Sequence, residues 1–68
     1  MTSYEKTFKD DYHHIADSYE NLTEMVDNWD SMEAKPNCPR DLLETQLDAM
    51  YNLMKIMETR ANTEGIAL

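Results

Sequence analysis

Between Leu42 and Ala61 the chain reads LLETQLDAMYNLMKIMETRA, and this stretch carries more apolar surface than a single partner helix within 68 residues can cover. Read at helical period it holds two stripes. Leu43, Leu47, Met50, Met54, Met57 and Ala61 recur at alternating steps of four and three, the spacing of a seam between two helices. Leu42, Ala49, Leu53 and Ile56 form a second stripe beside it. A surface helix ordinarily has one apolar face and a polar back. The second stripe therefore calls for a partner beyond the first helix of the same chain.

The rest of the chain narrows the fold further. A chain this short makes one domain and buries little of its surface, so it needs a disulfide, a metal or association with copies of itself. Cys38 is the only cysteine, which rules out an intrachain disulfide and fits a reducing compartment. Self-association is left as the staple. One glycine and two closely placed prolines argue for a few long helices rather than many turns. The opening MTSYEKTFKDD has neither the pattern of a signal peptide nor the apolar length to span a bilayer, so the expectation is a soluble, cytoplasmic protein.

Thr2 and Glu5 have the spacing of a capping box. Phe8, Tyr12, Ile15, Tyr19, Leu22, Val26 and Trp29 then follow at steps of four and three without a miss. This predicts one amphipathic helix over about 3–34, roughly 48 Å long at about 1.5 Å per residue. Lys35-Pro36-Asn37-Cys38-Pro39 breaks it, because the residue before proline is pushed out of helical conformation. The turn is placed at 35–38. Pro39 suits the first position of a second helix over about 39–64, with Gly65 as its left-handed cap and Ile66 folding back on Ala61.

A short turn makes the helices antiparallel neighbours. The seam pairs become Trp29 with Leu43, Val26 with Leu47, Leu22 with Met50, Tyr19 with Met54, Ile15 with Met57 and Tyr12 with Ala61. The fold class is all-α: a single domain over 1–68, an antiparallel, coiled-coil-like hairpin that assembles into a helical-bundle homo-oligomer. Leu42, Ala49, Leu53 and Ile56 form the oligomer interface, joined by Met25 and Met32 beside the seam of the first helix. Met1, Tyr4 and Phe8 overhang the second helix and need contact with another copy, the C-terminal tail or a partner.

Charge limits what the protein binds. Fourteen acids against six bases give −8, and eight of the acids fall between Asp10 and Ala34, where there is no Lys or Arg. Such a field opposes direct nucleic-acid binding and anionic membranes but suits a basic protein groove. Asp10, Asp17, Glu20, Glu24 and Asp27 line the outer face of the first helix as a candidate partner face.

Catalytic chemistry finds no support in the pattern. Cys38 would need a histidine as base, and His13 and His14 lie about two-thirds of the first helix away. Asp10 with His14 and His13 with Asp17 have i, i+4 metal-ligand spacing, but they read as a solvated acidic face, and no metal or cofactor is expected. Arg60 and Tyr51, with Arg40 at the start of the second helix, are ligand candidates. In an oligomer a guanidinium and an aromatic face could hold a phosphate or nucleobase.

In the second helix, Leu42-Leu43, Gln46-Leu47, Ala49-Met50, Ile56-Met57 and Arg60 resemble a family of small phage proteins first noted in crAss-like phages, which follow an acidic helix with one of the form LL–QL–AM–IL–R. The resemblance covers about twenty residues and implies a non-enzymatic phage accessory protein directed against a host defence component. Two mechanisms fit: an acidic inhibitor occupying a basic groove of a host protein, or an oligomeric sponge for a small nucleotide immune signal. Net charge favours the inhibitor. A third reading, from another class, is an assembly hairpin that docks a partner helix.

Overall fold

The computed structural model describes residues 2–68 and contains two helices of 25 residues, α1 (Ser3–Asp27) and α2 (Arg40–Glu64), with a short 3-10 turn at Trp29–Ser31 between them. The expectation for Met1 lies outside the described residues. The helices pack side by side as a hairpin 45 Å long and 16–17 Å across. Contacts between them run in opposite order along the chain: Tyr4 meets Glu64, Tyr12 meets Glu58 and Tyr19 lies against Tyr51.

Each helix begins and ends for a local reason. The Thr2 hydroxyl accepts the Glu5 amide at 3.1 Å and so caps α1. At the end of α2, Gly65 takes φ +71, a left-handed conformation that a side chain disfavours, and the Ile66 amide donates to the Ala61 carbonyl at 2.8 Å. That bond swings Ile66 inward, where it is buried against Ala61. Pro39 stands one place outside α2 as its N-cap, with extended backbone, rather than in the first helical position.

The first helix is shorter than its apolar pattern predicts, ending at Asp27 instead of about residue 34. Asn28 is its C-cap. Its backbone amide makes the last i→i−4 bond, to the Glu24 carbonyl at 3.1 Å, its side-chain amide donates to the same carbonyl at 2.9 Å, and its own backbone leaves the helical region at φ −98, ψ 17. Ser31 and Met32 then bond three residues back, to Asn28 and Trp29, tightening the chain into a 3-10 turn. Met32 caps that turn, so it does not lie on a helix face as expected. The connection between helices is 28–39 rather than 35–38, and Lys35 Nζ ties it by donating to the Met32 carbonyl at 3.0 Å.

The core sits at the end where the chain termini meet. Phe8, Met57, Ala61 and Ile66 form its buried cluster, with Tyr12 and Ile15 packed against it. This resolves the overhang of Phe8, which is covered by α2 and the C-terminal tail. Towards the connection only Val26 is buried. In α2 all six positions of the first stripe are buried or half-buried, whereas Leu42, Ala49, Leu53 and Ile56 are all exposed.

A polar clasp ties the two helices beside the core. The Tyr12 hydroxyl donates to Glu58 Oε2 at 2.7 Å, and Lys55 stands 3.3 Å from Oε1. The Tyr12 bond, with help from Lys55, holds the Glu58 carboxyl below the usual carboxylate range, and the same bond raises the Tyr12 hydroxyl above the usual phenol. In acid the unfolded chain binds the Glu58 proton more readily than the folded one. This contribution is therefore full above about pH 4.3 and is lost as pH falls below it. Tyr12 acts in the opposite sense, contributing below about pH 10 and losing that contribution as pH rises further. The melting temperature followed by circular dichroism from pH 3 to 8 should fall at the acid end. Glu58→Gln, which still accepts from Tyr12, should flatten that fall; an unchanged acid limb would count against the clasp.

Candidate functional site

The exposed stripe of α2 is a face, and Arg60 belongs to it. Leu42, Gln46, Ala49, Leu53, Ile56 and Arg60 follow at four, three, four, three and four, so the guanidinium continues the row that Leu42 begins. Leu42 and Ile56 are each 58% exposed and Leu53 42%, more than large aliphatic side chains usually show in a finished surface. Met25 and Met32, grouped with this stripe from sequence, are half-covered within the single chain.

Arg60 is held rather than free. Its guanidinium lies over the Phe8 ring, 4.7 Å from the centroid, and its Nη2 donates to the Tyr4 hydroxyl at 3.1 Å. Tyr4 in turn donates to Glu64 Oε1 at 2.7 Å, and Glu64 Oε2 stands 3.9 Å from the Arg60 Nε. The start of α1 and the end of α2 thus fix one cation at the rim of the core, and an aromatic face beneath an arginine strengthens that placement. Beside it, Lys55, Ile56, Thr59 and Arg60 border a shallow open groove of about 300 Å³. The groove is mainly apolar with Arg60 at its rim: the Lys55 ammonium is turned to Glu58 and the Tyr51 ring, and the Thr59 hydroxyl donates to the Lys55 carbonyl at 3.1 Å.

The three ligand candidates from the sequence do not converge within one chain. Arg40 pairs with Glu44 at 3.2 Å in the first turn of α2, twenty residues or roughly 30 Å along the helix from Arg60. Tyr51 stands nine residues before Arg60, two and a half turns at about 3.6 residues per turn, and so points to the opposite side. There it packs on Tyr19 with ring centroids 6.4 Å apart and carries Lys55 over its ring at 5.2 Å. The residues that do surround Arg60, Tyr4, Phe8 and Glu64, went unassigned as a site. Their signal was present in the aromatic pair four residues apart at the overhanging start of α1 and in Glu64 four residues after Arg60.

On α1, Asp10, Asp17, Glu20, Glu24 and Asp27 are all exposed, and among the described residues only Asp10 has a cation in reach, Lys6 at 2.8 Å. His13 sits edge-on to Tyr12, with centroids 5.6 Å apart. Among the described residues no three His, Cys, Asp or Glu side chains stand together as metal ligands, and no helix is long and apolar enough to cross a membrane. Cys38 is a free, half-buried thiol in the connection.

No curated protein matches the chain, and no solved structure does. A family model described as Sequestin matches residues 2–63, from the capping threonine of α1 to the last turn of α2. That match takes in both helices, the exposed stripe and Arg60. The chain belongs to the Sequestin family.

Proposed function

We propose that this protein acts by binding rather than catalysis, as a homo-oligomeric sponge that withdraws a small nucleotide-like signal from a host defence system. The observation that carries this is the Arg60 cluster, a cation fixed by Tyr4, Phe8 and Glu64 at the edge of an open groove with Lys55, Thr59 and Ile56. The family's name, which denotes sequestration, supports withdrawal of a ligand. The phage setting and the defence target rest on the resemblance in α2. Net charge, which favours an acidic inhibitor, weighs less beside a row of six positions on α2 that holds Arg60 and no carboxylate.

Melting temperature measured against a panel of cyclic nucleotides and ADP-ribose derivatives tests the reading, because a ligand that binds only the folded state raises it. At least one member should raise it, and Arg60→Ala should weaken that ligand by roughly tenfold or more, the scale of a lost charge-assisted hydrogen bond. A flat response across the panel would remove the sponge.

The second reading is the acidic protein inhibitor, and the bare acidic row on α1 favours it. In that case binding to a basic host protein should weaken steeply with salt. Neutralising Asp17, Glu20 and Glu24 together should abolish it.

A further inference from the structure

We infer that the exposed stripe of α2 is covered by α2 of a second copy running antiparallel, in the register that sets Leu42 against Arg60, Gln46 against Ile56 and Ala49 against Leu53 of the partner subunit. This rests on the oligomer of the proposed function and places the groove beside Arg60 at the interface, bounded by Leu42 and Gln46 of the partner subunit instead of open to solvent; it follows from charge, spacing and hydroxyl placement on one face.

Charge names the occupant. The chain carries −8, so two copies repel each other across most of their surfaces. The stripe is the exception. Its six positions contain no carboxylate and one cation, and one flank is Thr45, Asn52, Thr59 and Thr63, again without an acid; Glu64, at the Arg60 end of the other flank, is engaged by Arg60 and Tyr4. The threonines are turned inward: Thr45, Thr59 and Thr63 each donate the hydroxyl to the carbonyl four residues earlier, at 2.9, 3.1 and 2.9 Å. Their oxygens are satisfied by their own helix, which leaves the methyl groups to border the stripe. A second copy of the same face is thus a largely apolar surface of matching length, its six positions without a carboxylate, that this chain meets with little repulsion.

Spacing sets the register. In an antiparallel pair of helices a position that begins a four-residue step faces one that ends it. For the row 42, 46, 49, 53, 56, 60, a single register uses all six positions in both copies, with the twofold axis level with residue 51. Shifting by one heptad leaves Ile56 and Arg60 uncovered. In the full register the small Ala49 faces the larger Leu53 next to the axis, which lets the helices approach closely while filling the space. The two Arg60 side chains then lie roughly 27 Å apart, at about 1.5 Å per residue, giving two equivalent ends. Arg40 of the partner subunit comes to the level of Arg60, but twenty residues at about 3.6 per turn put it on the far side of its helix, where Arg40 pairs with Glu44, so it takes no part in the interface.

The test is disulfide mapping in a Cys38→Ser background. Ala49→Cys and Leu53→Cys chains are purified separately, oxidised alone, then mixed and oxidised together, with mass read by native mass spectrometry. Both positions are exposed in the hairpin, so neither variant disturbs the fold, and unchanged circular dichroism checks this. The expected result is a covalent dimer in the mixture and little when either chain is alone. Self-linked dimers of either chain would overturn the register in favour of a parallel or shifted pairing. A non-covalent dimer that forms no crosslink would also overturn it, and a monomer at micromolar concentration would overturn the second copy altogether. Nucleotide uptake by such a monomer would sink this pairing while leaving the ligand reading in place.

Discussion

Phe8→Ala is expected to leave the chain largely unfolded at 37 °C. The ring is 4% exposed, packed with Met57, Ala61 and Ile66, and it supports the Arg60 guanidinium on its face. Truncating a buried phenylalanine costs about 3–5 kcal/mol. A 68-residue domain has roughly 3–10 kcal/mol in total at about 0.05–0.15 kcal/mol per residue, and a thin two-helix packing belongs near the lower end. With about 4–8 °C per kcal/mol for a domain of this size, thermal melts should shift down by at least ~12 °C. Val26→Ala, at the other buried position, removes only two methyl groups, worth roughly 1.6 kcal/mol at about 0.8 kcal/mol each, and should shift the melt by half as much or less. Equal shifts would mean that the hairpin is held evenly along its length rather than at its free ends.

Leu53→Glu should have the opposite signature, a folded chain that no longer self-associates. Leu53 lies on the face pointing away from α1 and is 42% exposed, so the hairpin has little reason to respond. In an assembly the change removes about 1.5–3 kcal/mol of apolar burial per copy. It also puts a carboxylate beside its symmetry mate in a poorly hydrated interface, a cost of similar or greater size. The dissociation constant of a dimer should rise by at least ~100-fold. Sedimentation velocity against concentration, with circular dichroism as the control for folding, reads both. An association constant unchanged by the substitution would move the interface off this stripe. If the chain instead serves as an assembly hairpin docking a foreign helix, the same variant loses that partner while charge reversal along α1 does little.

Period was the most legible signal in the chain. The six positions of the α2 seam are the ones that become buried or half-buried, and the four of the second stripe are the ones left exposed, because side-chain azimuth follows directly from spacing. Thr2 and Gly65 were legible as caps for a similar reason, since each supplies a backbone need that few other residues meet. The end of α1 was hidden because Trp29 and Met32 continue the apolar rhythm. The helix ends at Asn28, whose side chain closes on the Glu24 carbonyl as a local cap that the apolar rhythm does not show. Residue type alone does not give azimuth, and Tyr51 and Arg60, which suit one ligand by type, point to opposite sides of α2. Assembling Tyr4, Phe8 and Glu64 around Arg60 required knowing how far α1 overlaps the end of α2, which depends on where the connection begins.

The position of the core also shapes how the chain folds. A helical hairpin usually zips outward from its turn, gaining close-range contacts first. Here the Phe8–Ile66 and Tyr4–Glu64 contacts join residues about sixty apart, while the turn end contributes only Val26. Closing so long a loop must precede most of the reward, and its entropic cost grows with loop length. The transition state for folding should therefore be a large ring already closed at its ends, with Ile66→Ala and Phe8→Ala slowing folding while changes in the connection mainly speed unfolding. A protease cut within 28–39 would convert the molecule into two peptides that still recognise each other at the far end, a split protein whose reassembly is driven from its termini.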